Sequence, residues 1–394
     1  MQTEVAVVGA GPAGSVAAQR LAAVGVRVVL LERATFPRDK PCGDGVSGRG
    51  LNVLARAGLD EWASQFSVPK VLRLTSPDGQ VLDVRPEIGD GYCYGRTIPR
   101  RLLDARLAQA AVQAGARLVE GARVRGVEWA DGSRASVVAD GLEVTAQLVI
   151  LADGSHAPVT RHLGLVRAPP EMIAVRRYFV GDTGPADRLE IHFEPDVIPS
   201  YTWLFPEGDG YANVGVGVFT WRARRDGVVP REVLARFVAD PVATEGRLAR
   251  AEPVGPLRGH PLRTRLGGTR THAERVLVAG DAAGLVNPLS GEGIAPALES
   301  GELAATHALA ALESGDFSAQ ALAAYSHALK ARYEADWRAA RILRLAVSVP
   351  RLLNRVFRRL QQDRELALLV GYIIIGHKSP RLALRPTTLL RLLA

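Results

Sequence analysis

The chain of 394 residues is 47% apolar and carries a formal net charge of +8, a composition that excludes a disordered protein and supports one or two domains with a large core. The positive charge is local, because residues 338–394 hold eleven arginines and one lysine against two acids, and the remaining residues sum to −2. This distribution excludes a general nucleic-acid binder and indicates a local surface for an anionic partner. Two cysteines without a secretory signal exclude a disulfide framework and predict a reducing, cytoplasmic setting.

The first elements of the chain predict a βαβ unit. Residues 4–8 have the pattern of a short buried strand, residues 12–24 that of a helix, and residues 27–31 that of the next strand. A helix is then predicted over residues 101–114, and a continuous apolar strand over residues 144–151.

Residues 171–219 change to an alternating, aromatic-rich pattern that predicts antiparallel strands. These strands are expected at residues 174–180, 189–193, 201–205 and 212–218. Residues 275–279 return to the buried-strand pattern, and almost everything after Ile294 has a helical pattern.

The predicted fold class is α/β with an α+β insert: a Rossmann-like dinucleotide-binding domain, an inserted antiparallel-sheet domain for the substrate, and C-terminal helices. The nucleotide domain is discontinuous, because its strand patterns lie on both sides of the insert. The expected ranges are 1–70, 96–165 and 270–310 for the nucleotide domain, 71–95 and 166–269 for the substrate domain, and 311–394 for a helical, basic region.

A glycine loop, Gly9-Ala10-Gly11-Pro12-Ala13-Gly14, follows the first strand and opens the first helix. Gly9 permits the tight turn, Gly11 lets the backbone approach a pyrophosphate, and Gly14 lets the helix pack on the strand. Glu32 ends the second strand, where it is placed to accept hydrogen bonds from a ribose. The alternative is a plain glycine-rich turn. Because the loop stands between a strand and a helix and is followed by an acid at the end of the next strand, it predicts a dinucleotide. It does not distinguish NAD from FAD.

Two further segments place an aspartate beside a glycine at the end of a buried strand, where open α/β sheets bind ligands. They are Leu151-Ala152-Asp153-Gly154-Ser155 and Val278-Ala279-Gly280-Asp281-Ala282-Ala283. Either alone also fits an ordinary strand-to-helix turn. Their joint presence after an N-terminal glycine loop resembles the FAD-binding fold of p-hydroxybenzoate hydroxylase and its relatives, which favours FAD over NAD.

This resemblance implies roles for particular residues. The last aspartate of the superfamily holds the ribityl chain and pyrophosphate, a role that falls on Asp281. The turn at Gly291 and Gly293 and the helix beginning at Ile294 would face the pyrimidine edge of the flavin, where a helix dipole stabilises the negative charge of reduced flavin. The helix that opens at Arg100 resembles the superfamily's Arg-x-x-Leu segment, whose arginine contacts FAD.

Two other segments narrow the family. They are Arg38-Asp39-Lys40-Pro41-Cys42-Gly43-Asp44-Gly45 and Pro199-Ser200-Tyr201-Thr202-Trp203-Leu204-Phe205-Pro206, the second followed by a glycine-rich stretch. Together they resemble the geranylgeranyl reductase family, whose members saturate isoprenoid double bonds with reduced FAD. The resemblance extends to about residue 310. Asp44 departs from the pattern, since many members have a third small residue there, and this variant is closer to polyprenyl-quinone reductases.

The predicted FAD contacts combine the glycine loop with what the resemblance implies. They are Gly9, Gly11, Pro12, Ala13, Gly14, Glu32, Arg33, Cys42, Gly43, Arg100, Val124, Asp153, Gly154, Gly280, Asp281, Pro288, Gly291, Gly293 and Ile294. No metal site is predicted, because the histidines lack ligand spacing and no Cys/His cluster exists in the sequence.

Tyr201, Trp203 and Phe205 share one face of a strand because they are two residues apart. That face is either core or an apolar wall for an isoprenoid chain, able to stabilise cationic character on an alkene carbon. Cys42, in a glycine-rich loop, is expected beside the isoalloxazine, whereas Cys93 is expected to be structural. Cys42, Tyr201 and Trp203 are the predicted catalytic residues, with Cys42 and Tyr201 both open as the proton donor.

The predicted function is FAD-dependent saturation of C=C bonds in a geranylgeranyl or polyprenyl chain of a lipid or quinone. The sequence has no second glycine fingerprint, so electrons are expected from transiently bound NAD(P)H or from a protein donor such as ferredoxin. The main alternative is an FAD-dependent monooxygenase that hydroxylates an aromatic or polyketide substrate. A flavin halogenase, for which only Lys70 would serve as the catalytic lysine, and a non-catalytic lipid-binding flavoprotein stay open.

Residues 351–360 have the pattern of a basic amphipathic helix. Its apolar positions are Leu352, Leu353, Val356, Phe357 and Leu360, and its basic positions are Arg351, Arg355, Arg358 and Arg359. The apolar run at 366–375 is far shorter than the roughly 20 residues that span a bilayer. The two interpretations are a shallow contact with an anionic membrane, giving a peripheral membrane protein, and a helical cap packed on the domain with solvated arginines.

Overall fold

The computed structural model describes residues 1–85, 95–130 and 134–393, so Cys93 lies outside the described residues. The described strands are β1 (Val5–Val8), β2 (Val28–Leu31), β3 (Gly45–Val46), β4 (Val71–Thr75), β5 (Val81–Val84), β6 (Arg96–Thr97), β7 (Arg117–Val119), β8 (Val124–Ala130), β9 (Arg134–Ala139), β10 (Leu142–Ala146), β11 (Leu148–Leu151), β12 (Met172–Val180), β13 (Arg188–His192), β14 (Thr202–Gly208), β15 (Tyr211–Phe219), β16 (Glu252–Leu262), β17 (His272–Ala273) and β18 (Val276–Val278).

The described helices are α1 (Pro12–Ala22), α2 (Gly48–Arg56), α3 (Asp60–Ser64), α4 (Arg100–Gln113), α5 (Pro158–His162), α6 (Thr220–Asp226), α7 (Pro230–Ala239), α8 (Ile294–Ser314), α9 (Ala319–Val347), α10 (Pro350–Gln362), α11 (Arg364–Ile374) and α12 (Pro386–Leu393).

The central sheet has the strand order β17-β18-β11-β1-β2-β7 and is parallel except for β17. Its strands β1, β2, β11 and β18 are apolar throughout and fully buried, as expected for a parallel sheet covered on both faces. Helix α1 packs against α8 and α4. The predicted βαβ unit and the predicted α/β class are confirmed, and the carboxyl ends of β1, β11 and β18 meet at one edge.

The apolar run at 144–151 was predicted as one strand, and this prediction is wrong. It forms two strands separated by Gln147. Strand β10 pairs antiparallel with β9 in a three-stranded sheet, whereas β11 pairs parallel with β1 in the central sheet. Val144 and Ala146 of β10 and all four residues of β11 are buried, so the apolar pattern continues across the change of partner and hides the break.

The second large sheet has the order β16-β12-β15-β14-β13-β4-β5. Its neighbours are antiparallel except for the parallel pair β4 and β13. The four antiparallel strands predicted within 171–219 are confirmed as β12 to β15. Because β4 and β5 join this sheet, their position supports the proposal that residues 71–95 belong with the inserted domain.

Helix α10 packs on this sheet. Its side chains Leu353, Phe357 and Leu360 are buried in one cluster with β4 and β5 residues such as Leu72 and Val84. The predicted apolar face of this helix is therefore covered by protein, while the side chains of Arg351, Arg355 and Arg358 are exposed. Within the described ranges, no helix has both the length and the apolar character needed to cross a membrane.

Candidate functional site

The main cavity begins at the carboxyl edge of the central sheet and continues beneath the seven-stranded sheet. One end is lined by backbone-rich segments of the glycine loop, the β11 and β18 ends and the start of α8. The other end is apolar. Fifteen predicted site residues line it: Gly11, Pro12, Ala13, Cys42, Gly43, Arg100, Gly154, Tyr201, Trp203, Phe205, Gly280, Asp281, Gly291, Gly293 and Ile294.

The glycine loop has the close contacts that a dinucleotide site requires. A Cβ on Gly14 would lie 1.9 Å from the Gly9 carbonyl oxygen, and Gly9 itself has φ of 98° and lies against the Ala152 backbone. A Cβ on Gly11 would meet only the Arg38 Nη2 atom at 3.9 Å among described atoms, so the space in front of Gly11 faces the cavity. No side chain among the described residues caps α1, and its first-turn amides are thus available to a phosphate.

Glu32 lies behind the glycine loop and is buried. Its carboxylate accepts hydrogen bonds from the Ala10 amide at 3.1 Å, the Ala34 amide at 3.1 Å and Arg38 Nη2 at 3.0 Å. A carboxylate has about four acceptor positions, so capacity for a ribose hydroxyl remains. Arg38 also contacts Asp104 at 2.7 Å, which ties the Cys42 loop to α4.

Asp281 and Lys40 form an ion pair at the cavity wall. Lys40 Nζ lies 2.9 Å from Asp281 Oδ2, and Ser155 Oγ donates to the same oxygen at 3.2 Å. Burial opposes the ionisation of Asp281, but the Lys40 ammonium outweighs it and the pKa of this carboxyl is lowered. Asp281 is therefore an anion at neutral pH, suited to accept hydrogen bonds from ribityl hydroxyls.

The structure does not bring every predicted contact to the cavity. The Asp153 carboxylate accepts the Val159 amide at 2.8 Å and the Thr160 amide at 3.0 Å, and so caps α5. Val124 and Pro288 are buried, and Arg33 is exposed. Gly9, Gly14 and Glu32 also lie outside the cavity lining and shape the glycine loop from behind.

Arg100 is buried at the start of α4 and lines the cavity. Its guanidinium forms a paired contact with Asp104, with both N···O distances 2.8 Å. Although burial disfavours the charge, the Asp104 carboxylate raises the pKa of Arg100 above its usual range. Arg100 is thus a fixed cation at this wall of the cavity.

Tyr201, Trp203 and Phe205, hereafter the aromatic wall, line the cavity together. Neighbouring ring centroids are 6.3 and 6.4 Å apart. A Cβ on Gly215 of β15 would lie 2.3 Å from the Trp203 ring, so glycine there leaves room for the indole against this strand. On the Cys42 loop, a Cβ on Gly43 would lie 3.2 Å from the Phe205 ring. The aromatic wall and the Cys42 loop therefore meet.

The two candidate proton donors, Cys42 and Tyr201, differ in the hydrogen bonds that their protons make. Burial raises the pKa of the Cys42 thiol, which keeps its proton at neutral pH. The Tyr201 hydroxyl donates a hydrogen bond to the Ser290 carbonyl oxygen, and burial raises the pKa of this phenol as well. The proton of Tyr201 is thus held by a protein acceptor.

Sequence reasoning missed four polar residues at this site. Asn213, Lys40 and His260 were not singled out, and Asp44 was noted only as a departure. His260 lines the cavity, burial lowers its pKa to about 3, and its Nε2 atom has no partner among the described residues. Asn213 carried a usable signal, because it is a polar residue inside the apolar run of a buried strand.

The cavity fits FAD on these observations: an open approach at Gly11, an uncapped helix N-terminus, an anionic Asp281 and the polar His260 imidazole. The FAD-binding domain family model matches residues 2–340. The protein therefore binds FAD.

Known proteins narrow the family further. A menaquinone reductase from Mycobacterium tuberculosis is 35% identical over 371 residues, which cover 89% of this chain and 85% of that protein. Digeranylgeranylglycerophospholipid reductase 2 of Methanopyrus kandleri is 34% identical over 349 residues, with coverage of 82% and 81%. The crystal structure of a geranylgeranyl bacteriochlorophyll reductase-like protein from Thermoplasma acidophilum aligns with a TM-score of 0.82 at 25% identity and 92% coverage of each chain. The chain belongs to the geranylgeranyl reductase family of FAD-binding flavoproteins.

Proposed function

We propose that this protein is an FAD-dependent reductase that saturates C=C bonds in the isoprenoid chain of a lipid or quinone. The observation that carries this proposal is that one cavity is lined by the segments expected to hold the nucleotide, by a group of aliphatic side chains, and by Cys42 and the aromatic wall. Bound FAD in its reduced form supplies hydride. The chain's own residues hold the cofactor, exclude water from the alkene and supply the matching proton.

The apolar end suits a hydrocarbon chain. Its lining is aliphatic and comes from β4, β12, β13, β16 and the end of α11: Leu72, Met172, Leu189, Ile191, Leu262, Ile374 and Ile375. Such a surface offers a prenyl chain dispersion contacts and the release of water, and gives a polar aromatic substrate few hydrogen bonds. The names of the two relatives, a menaquinone reductase and a digeranylgeranylglycerophospholipid reductase, agree with this substrate class.

The protonated Cys42 thiol is our candidate for the proton donor at the alkene. It lies on the cavity wall, and its raised pKa keeps the proton available. The aromatic wall stabilises the positive charge that develops on carbon when protonation leads. We further propose that electrons arrive from transiently bound NAD(P)H or from a protein donor such as ferredoxin.

The test uses chemical reduction so that it does not depend on the natural donor. The flavoprotein is reduced with dithionite under anoxia and mixed with a menaquinone in one reaction and a digeranylgeranyl lipid in another. We expect a product heavier by two hydrogens for each saturated bond, measured by mass spectrometry, and none with protein stripped of FAD. Flavin that stays reduced without saturated product, together with hydroxylation of an aromatic under NADPH and oxygen, would establish the monooxygenase instead.

A different surface from the α10 face is our proposed membrane contact. Ile342, Leu345 and Val349 are 49%, 66% and 48% exposed at the end of α9 and the start of α10. Ile342 and Leu345 share one side of α9 because they are three residues apart, and Val349 follows in the turn before α10, with Arg338 and Arg351 exposed on α9 and α10. Apolar side chains rimmed by arginines suit the interface of an anionic bilayer.

Leu345→Glu is expected to weaken binding to vesicles that contain anionic lipid. The change places a negative charge among the apolar side chains and repels the anionic surface. Co-sedimentation with phosphatidylglycerol vesicles measures it. Val242→Glu is the matched control, because Val242 is 85% exposed outside this surface. Equal binding by both variants would contradict the proposed contact.

A further inference from the structure

One amide joins the two sides of the reaction cavity. Asn213, fully buried in β15, accepts a hydrogen bond from Trp203 Nε1 at 3.0 Å. Its Nδ2 atom donates to the Cys42 carbonyl oxygen at 2.7 Å and to Asp44 Oδ2 at 2.8 Å. The position of the Trp203 indole and the position of the Cys42 loop are thus set by the same side chain.

Asp44 orients that amide. Its carboxylate is fully buried and accepts from three elements: the Arg100 amide of α4 at 3.2 Å, the Tyr178 hydroxyl of β12, and Asn213 of β15. The Arg100 amide and Asn213 Nδ2 can only donate, and the Tyr178 hydroxyl donates as well, so the arrangement as it stands is that of the ionised acid. Asp44 has φ of 61°, a left-handed conformation that aspartate tolerates better than most residues, and this explains how an acid replaces a small residue.

Titratable groups face Asp44 from three other elements, and the Cys42 thiol of its own loop also interacts with it. Arg176 and Tyr178 face it from β12, Arg100 from α4, and Glu207 from β14. Burial raises the pKa of Asp44 to about 6, although Tyr178, Arg176, Asn213 and Arg100 favour its ionised form. Burial and the Asp44 carboxylate raise the pKa of Glu207 well above its usual range. The Glu207 carboxyl oxygens have no hydrogen-bond partner among the described residues.

We propose that Asp44 is a positioning residue for the reduction: as a carboxylate it locks Asn213, and through it the Cys42 loop and the Trp203 indole, in their places on the cavity wall. This inference rests on the proposed function. Protonation of Asp44 turns one of its acceptor positions into a donor, which opposes the Asn213 or Arg100 N–H group or forces the Tyr178 hydroxyl to turn from donor to acceptor. The reductase therefore loses activity as Asp44 takes up a proton.

The main test is the pH profile of kcat/KM in the dithionite-driven assay. For the unchanged protein we expect an acid limb with a midpoint at about 6. Asp44→Asn should lower activity and lose this limb. Tyr178→Phe removes one donor that favours the ionised acid, so it should shift the limb to higher pH. Glu207→Gln removes the other buried acid near Asp44 and keeps its shape, and it should leave the limb in place if Asp44 is the group that titrates.

A purely structural role for Asp44 would lower activity equally at every pH, and an acid limb that survives in Asp44→Asn would overturn the proposal. Should Asp44→Asn fail to fold, the Tyr178→Phe shift decides alone, and an unshifted limb counts against the proposal.

A second readout needs no lipid substrate. Cys42 is the sole cysteine once Cys93→Ser is made. Its limiting rate of alkylation at high pH, in the FAD-bound protein, should rise several-fold with Asp44→Asn because the loop is released. If the protein with Asp44 intact does not reduce the lipids, the proposed function is refuted. If Asp44→Asn leaves the rate of Cys42 alkylation the same, the positioning role is refuted.

Discussion

Gly11→Ala is expected to lower the affinity for FAD by at least about tenfold, which corresponds to about 1.4 kcal/mol, and to leave the flavin-free protein as stable as before. Gly11 has φ of −78°, which alanine adopts freely, and the added Cβ approaches only Arg38 Nη2 at 3.9 Å. The methyl group instead occupies space on the cavity side of the loop, where the pyrophosphate would approach the backbone. Flavin fluorescence titration gives the affinity, and thermal unfolding of the flavin-free protein gives Tm.

Gly14→Ala is the matched variant, since it changes the same loop by the same methyl group. Its Cβ would lie 1.9 Å from the Gly9 carbonyl oxygen and 3.1 Å from Val7 Cγ1, so α1 must move away from β1. We expect this variant to lower Tm without FAD, in contrast to Gly11→Ala. Equal losses of Tm in both variants would show that Gly11 serves the fold and leave its role in FAD binding unsupported.

The features that could be predicted from sequence are local in the chain. The glycine loop and the acids at strand ends follow from the requirements of a strand, a turn and a helix within a few residues. The fold class follows in the same way from alternating and continuous apolar patterns. The prediction that Cys42 and the aromatic wall line one cavity rested on family resemblance. Residues so far apart in the sequence share no local pattern that would show that they meet.

The features that escaped prediction depend on tertiary partners. Asn213 and Asp44 are separated by 169 residues, and nothing local indicates that their side chains meet. The amphipathic pattern of α10 was ambiguous for a related reason. An apolar helix face can contact either a bilayer or a sheet of the same protein, and here Phe357 packs on the sheet. The 144–151 run concealed a change of sheet, since burial in either sheet produces the same hydrophobic string.

Cys42→Ala is expected to lower kcat for lipid reduction roughly a hundredfold or more, because a positioned general acid contributes about 10² to 10⁴ in rate. The thiol lines the same cavity as the aromatic wall, and its raised pKa keeps it protonated at neutral pH. FAD content should be unaffected, since the Asp281 pair with Lys40 and the glycine loop do not depend on the sulfur. Single-turnover reoxidation of the reduced flavin by the lipid measures the step.

Tyr201→Phe separates the two candidate donors. The Tyr201 hydroxyl already donates to the Ser290 carbonyl oxygen, and transfer of its proton to an alkene would leave a buried phenolate without that bond. Burial raises the pKa of both Tyr201 and Cys42, so the hydrogen bond to Ser290 is what separates the two candidates. We therefore expect only a few-fold loss for Tyr201→Phe, from a less firmly held ring. A loss as large as that of Cys42→Ala would transfer the proton-donor role to Tyr201 and reduce Cys42 to a wall residue.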